Sequence, residues 1–193
     1  MLWAVVGCSS PFAGAAIFQD EEFLGGESRY APHAGSATSL GILKALLEKH
    51  GLELSEIELF AADVGPGSFT GAKVGVTIAK CLAYALGKKT AGLSAFDLIA
   101  PPPNTLPVAI PCRKNKYLLR EHRGSPPILV SEDDPRLENA IGYGSIFAHP
   151  VYPLPENAGH LFSSLEPIEP ELLLPEYVLE PSISEPKRPY PRV

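Results

Sequence analysis

The residues whose types and spacing could do chemistry gather in Asp63-Val64-Gly65-Pro66-Gly67-Ser68-Phe69-Thr70-Gly71, with Lys73 two places further on. A glycine-rich turn that opens a helix can hold an anion, because the first helical N–H groups lack intrahelical partners and carry the positive end of the dipole. The same turn can be a tight corner between strand and helix. A Walker loop would end in Gly-Lys-Ser/Thr, where Phe69-Thr70-Gly71 stands here. The dinucleotide spacing G-x-G-x-x-G also fails, since Gly71 comes one residue late. Pro66 removes a backbone donor where a phosphate nest needs one. Lys73, in the first helical turn, could still meet an anion. These residues favour the corner.

Other chemistries find less support. A nucleophile elbow G-x-S-x-G around Ser68 would need glycine at both flanking positions, which are Pro66 and Thr70. Ser68 or Thr70 reads instead as a helix cap. The histidines His33, His50, His122, His149 and His160 form neither a helical i,i+4 pair nor H-E-x-x-H. Cys8, Cys81 and Cys112 lack C-x-x-C spacing, so no metal and no cofactor is assigned. Glu132-Asp133-Asp134, before Pro135, reads as a turn and helix start.

Several elements must position the motif. The apolar run at 57–62 predicts a buried strand ahead of it, and 72–86 a helix behind it. Residues 2–7 and 12–19 predict strands, and Gly25-Gly26 is expected to follow a third, giving an antiparallel meander. A helix is predicted over 37–50 with Gly51 as its stop, a strand over 89–93, and a short helix from Ser94 to Ala100. Beyond these, 106–111 and 116–121 read as a hairpin, 128–130 as a strand, and 135–140 and 157–165 as short helices.

The two long helices carry a second pattern. Ala37, Gly41 and Ala45 recur every four residues on the first, as do Gly71, Gly75, Ala79 and Ala83 on the second. Small residues along such a ridge let helix axes approach closely. The ridges either pack the helices on each other or on the sheet, or form a subunit interface. Leu40, Leu43 and Leu47, and Val74, Ile78, Leu82 and Ala85, supply larger apolar faces on the same helices.

At 193 residues with 45% hydrophobic and 20% charged residues, the composition is that of an ordinary globular protein. A net charge of −6, with basic clusters no longer than Arg113-Lys114-Asn115-Lys116 or the tail pair Lys187-Arg188, argues against a broad nucleic-acid footprint. Three widely spaced cysteines suggest reduced thiols and a cytoplasmic protein, and no uninterrupted apolar run is long enough to span a bilayer. Pro101-Pro102-Pro103-Asn104 marks a boundary: 18 of the 21 prolines follow residue 100, whereas 13 of the 17 glycines precede it. The expected division is an α/β lobe over 1–100, a reduced proline-rich lobe over 101–165, and an extended tail over 166–193 anchored by Leu172-Leu173-Leu174 and Tyr177.

The run 65–76, continuing through Ala79-Lys80-Cys81-Leu82-Ala83, resembles the TsaB (YeaZ) family. The matching frame extends to Gly92-Leu93-Ser94-Ala95-Phe96 and faintly to Leu174-Pro175-Glu176-Tyr177, so it covers the N-terminal half well and the remainder poorly. The resemblance implies an α/β, two-lobed, actin-like ATPase-domain (ASKHA) fold. It implies a role in making N6-threonylcarbamoyladenosine at tRNA position 37, as a non-catalytic paralogue of the transferase TsaD. The implied partners are a TsaD-like catalytic subunit and a TsaE-like ATPase, with self-pairing in their absence, tRNA met only through the complex, and no membrane. The family pairs through its two N-lobe helices, which assigns the partner interface to Ala37, Gly41, Ala45, Gly71, Gly75, Ala79 and Ala83. The motif turn is Gly65, Pro66, Gly67, Ser68, Phe69, Thr70 and Lys73.

Two departures bear on chemistry. Gly7-Cys8-Ser9 stands where members usually carry Asp-Thr-Ser, an acidic position that handles metal and phosphate in catalytic relatives. Lys73 replaces the usual arginine, keeping the charge but not the bidentate geometry. The alternative reading is an enzyme of the same fold, a phosphotransferase or a glycoprotease-like hydrolase.

Overall fold

A computed structural model describes residues 1–179. The later part of the expected tail, with Lys187-Arg188, lies outside the described residues. Strands β1 (Leu2–Gly7), β2 (Phe12–Gln19) and β3 (Glu22–Tyr30) form the antiparallel meander expected from their short, turn-bounded apolar runs. Strands β4 (Leu59–Gly65) and β5 (Lys89–Ser94) join in parallel through the helix between them, giving the order β3-β2-β1-β4-β5. Both faces of this sheet are covered, so β1 and β4 read as continuous apolar runs rather than alternating ones.

Alternate residues then serve different layers. Ala4, Val6, Ile17, Phe60 and Ala62 meet helices α1 (Gly35–His50) and α2 (Phe69–Leu86). Trp3, Val5, Phe18, Leu59 and Ala61 meet the opposite layer, where Trp3 stacks on Phe18 at 4.7 Å between centroids. That layer holds part of the short helix α3 (Ala95–Ile99) and a 3-10 segment, Pro155–Ser164, that buries Ala158 and Leu161. Residues 155–164 belong by sequence position to the second lobe, yet they pack on the first sheet.

A second sheet, ordered β8-β7-β6-β9, contains β6 (Val108–Arg113), β7 (Lys116–Arg120), β8 (Ile128–Ser131) and β9 (Ile141–Gly142). Its Val108, Ile110 and Leu118 pack with Tyr143 against Phe96 and Ile99 of α3, whose Leu98 packs in the core of the first sheet. Arg120, nearly buried, reaches back to Asp97 of α3 at 2.6 Å and lies over the Phe96 ring.

Four local readings need correction. Gly25 and Gly26 lie inside β3 opposite Ile17 and Ala16 rather than after the strand. They are glycines because neighbours crowd in: a Cβ on Gly26 would sit 2.8 Å from Glu156 Cγ and 2.9 Å from Ala16 Cβ. The final helix is a ten-residue 3-10 segment beginning at Pro155. Ser94 occupies the N-cap of α3, but its side chain makes no capping bond. Of Leu172, Leu173 and Leu174 only Leu173 is buried, its neighbours being 64% and 68% exposed. The stretch 168–179 is a strap. Ile168 exchanges two backbone hydrogen bonds with Thr90, Lys89 pairs with Glu169, and the Lys80 ammonium donates to the carbonyls of Glu171 and Leu173 at 3.2 and 3.1 Å.

Helix α2 is also long and apolar enough to cross a membrane by length and composition, although Lys73 and Lys80 interrupt its apolar run. Here it is the helix that covers the parallel strands, with Gly75, Val76, Ala79 and Ala83 buried.

Candidate functional site

The motif turn interlocks with the turn between β1 and β2. Gly65 takes φ 95°, and the Ser68 side chain accepts from Gly71 N at 3.2 Å, capping α2. The helix therefore begins at Phe69, three residues before the expected start, with Ser68 and not Thr70 as cap. The Ser68 N–H is already taken by the Ser9 carbonyl at 2.6 Å. A Cβ on Gly67 would overlap that same oxygen, and one on Gly71 would overlap the Cys8 carbonyl oxygen. The backbone of the neighbouring turn thus occupies the place an anion would need, and the stretch is a packing corner. Lys73 lies with its ammonium 3.9 Å from the Phe69 ring centroid, a cation–π contact. Phe69 in turn packs at a tilt against Tyr177 of the strap, 5.0 Å between centroids.

Beneath the turn lies a residue to which the sequence reading assigned no role. Asp63 is completely buried, accepting from Gly65 N at 2.9 Å and Ser9 N at 3.3 Å. Burial pushes its carboxyl up to about 6, opposed by the Ser9 side chain and by the backbone N–H groups of Gly65 and Ser9, and reinforced by Glu176. Ser9 Oγ is buried without a partner of hydrogen-bond geometry among the described residues. Burial also raises Glu176, Arg120 opposing the rise and Asp97 adding to it, and raises the Tyr143 hydroxyl, Asp63 adding to it. An acidic residue ending the apolar run Leu59-Phe60-Ala61-Ala62 was the available signal.

The two small-residue ridges separate. On α1 the buried face is Ser39, Ile42, Leu43, Leu46 and Leu47, leaving Ala37, Gly41 and Ala45 exposed, with open space around Gly41. On α2, Gly75, Ala79 and Ala83 are buried and Gly71 is half-buried. A Cβ on Gly75 would lie 3.6 Å from the Asp63 carbonyl and 3.8 Å from that of Val6. Gly75, Ala79 and Ala83 therefore face their own sheet. Beside the exposed α1 ridge runs a groove of about 640 Å³, lined by Leu40, Leu43, Leu47, Leu52, Leu54 and Leu82 among others, with Lys44, Glu48 and Glu53 also in its wall.

These features define a two-lobed α/β protein of the actin-like ASKHA fold. The chain is similar over 92% of its length to a crystal structure of an uncharacterized protein with similarity to peptidase YeaZ from Pseudomonas aeruginosa, covering 99% of that chain at 18% identity and a TM-score of 0.75. It is equally similar to YeaZ from Pseudomonas aeruginosa, over 91% of this chain and 99% of that one, at 18% identity and a TM-score of 0.73. Residues 30–111 match the family TsaD: tRNA N6-adenosine threonylcarbamoyltransferase. A 48-residue stretch is 46% identical to the tRNA N6-adenosine threonylcarbamoyltransferase of Chelativorans sp. (strain BNC1), and covers 25% of this chain but 13% of that protein. The chain thus has the fold of YeaZ, and the stretch that matches the TsaD family model contains α1, the motif turn and α2.

Proposed function

We propose that this chain is a non-catalytic scaffold subunit of the assembly that makes N6-threonylcarbamoyladenosine at tRNA position 37. On this reading it holds a TsaD-like catalytic subunit, a TsaE-like ATPase joins them, and the chain pairs with itself when alone. One observation carries the reading: a fold likeness spanning nearly the whole of YeaZ coincides with a TsaD-family segment over 30–111.

The contact face we assign is narrower than the seven residues read from sequence. It consists of Ala37, Gly41 and Ala45 on α1, flanked by Leu40, which is 41% exposed, and by the apolar groove that reaches Leu82. Small side chains there let a partner helix come within ridge-packing distance, and the groove can receive its larger side chains. Gly75, Ala79 and Ala83 serve the same surface indirectly, by seating α2 close on the sheet.

Gly41→Trp and Ala45→Arg test the assignment, since both sites are exposed and Gly41 has nothing within 4 Å of its Cβ position. Each is expected to keep the circular-dichroism spectrum of the wild type and to melt no lower than it does. Each should also weaken co-purification with the TsaD-like subunit by about tenfold or more, the effect of blocking the centre of an interface. Undiminished capture by both folded variants would remove α1 from the interface.

A further inference from the structure

We propose that Asp63 is a proton-operated latch: a proton on its carboxyl seats the strap residues 174–178 against the motif turn, and loss of that proton loosens them. The inference is independent of which partner the chain meets.

The geometry is one of a buried acid among acids. Asp63 has no exposed surface and no ion pair among the described residues, its two hydrogen bonds coming from backbone N–H groups. The titratable groups whose electrostatic influence is shared with it are Cys8 from the turn after β1, Tyr143 from the second lobe and Glu176 from the strap. None of these is a cation. α2 turns Gly75 toward the Asp63 backbone, and β5 sets Leu93 beside it. Arg120 of β7 acts on Glu176 but is held by Asp97 of α3 at 2.6 Å, and Arg113 of β6 lines the same cleft as Glu176. An ionised Asp63 therefore meets chiefly desolvation, with the carboxyl of Glu176 adding to it, and among the described residues no cation pairs with it.

The mechanical link is short. The Glu176 N–H donates to the carbonyl of Val64, the residue after Asp63, at 2.8 Å. Tyr177, one residue on, packs at a tilt against Phe69 of the motif. Upstream, the strap is pinned by Leu173 in the core, by the Lys80 ammonium and by the Ile168–Thr90 pair. Repulsion between Asp63 and Glu176 is thus relieved most readily by movement of the segment beyond Leu173. The shifted titration of Asp63, near 6, sets where this happens.

Hydrogen exchange of the full chain between pH 5 and pH 8, corrected for intrinsic exchange, reads the latch at the Glu176 amide. Protection is expected to fall by about tenfold as the pH crosses 6, the population change that one unit of coupling produces. The Ile168 amide, upstream of the pin, should change little. In Asp63→Asn the fall at Glu176 should vanish; in Glu176→Gln, which keeps the backbone bond but removes the charge, it should shrink. Constant protection in the wild type overturns the proposal, as does an undiminished fall in Asp63→Asn. If Asp63→Asn does not fold, Glu176→Gln decides, and a fall of wild-type size there overturns it.

Discussion

Replacing Gly71 by valine should destabilise the chain by about 3 kcal/mol or more, whereas Gly41→Ala should stabilise it by about 1 kcal/mol. Both glycines lie on long helices at ridge positions, and propensity alone favours a larger residue at each. The surroundings reverse the sign at one of them. A Cβ at Gly71 would overlap the Cys8 carbonyl oxygen and lie 2.9 Å from its carbon, and these are backbone atoms that cannot swing aside. Relief requires prising apart the two turns that Ser68 N–H and the Ser9 carbonyl join at 2.6 Å. At Gly41 a Cβ meets nothing, so alanine simply removes the entropic penalty of glycine in a helix. A domain with a total stability of about 5–15 kcal/mol registers both changes clearly in urea titrations. Equal midpoints for Gly71→Val and the wild type would mean that the turns do not interlock.

The second large effect is on pH dependence. Folding raises the Asp63 carboxyl from 3.8 to about 6, so the folded chain binds this proton more tightly than the unfolded chain does. The sign follows: the contribution of Asp63 is fully present below pH 4 and is lost as pH rises through 6. A shift of roughly two units corresponds to a loss of about 3 kcal/mol by pH 8. Asp134, lowered to about 2 by hydrogen bonds from Arg136, and Glu27, lowered by hydrogen bonds from Arg29, work in the opposite direction at acid pH. The difference between wild type and Asp63→Asn isolates the one group. Asparagine still accepts from Gly65 N but presents an amide to Ser9 N, a modest constant cost. The variant should therefore gain on the wild type in urea midpoint from pH 4 to just above pH 6 and then level off toward pH 8. Parallel curves would mean that Asp63 is not protonated more readily in the folded chain.

Much of the fold was legible because its elements obey local rules. Gly51 and Gly87 both end their helices at φ near 65°, and the apolar runs of β1 and β4 announced a sheet covered on both faces. Gly25 and Gly26 misled because glycine usually punctuates a strand; here it makes room for Glu156 and Ala16, partners that no local rule reveals. The same difficulty divided the ridges. Ala37-Gly41-Ala45 and Gly75-Ala79-Ala83 have the same spacing, and only the position of the sheet decides which faces solvent. Asp63 was visible within the motif, but its isolation depends on Tyr143 and Glu176, which lie some 80 and 113 positions further along the chain. Charge relations of that range arise from topology, not from spacing.

A supporting role for this chain in threonylcarbamoylation of tRNA is tested most directly by mass spectrometry of tRNA nucleosides. The measurement requires a strain depleted of this chain and carrying no second chain of the same fold. N6-threonylcarbamoyladenosine should fall to a small fraction of its normal level, and return with the wild-type chain but not with Ala45→Arg. An undiminished level of the nucleoside after depletion would contradict the claim.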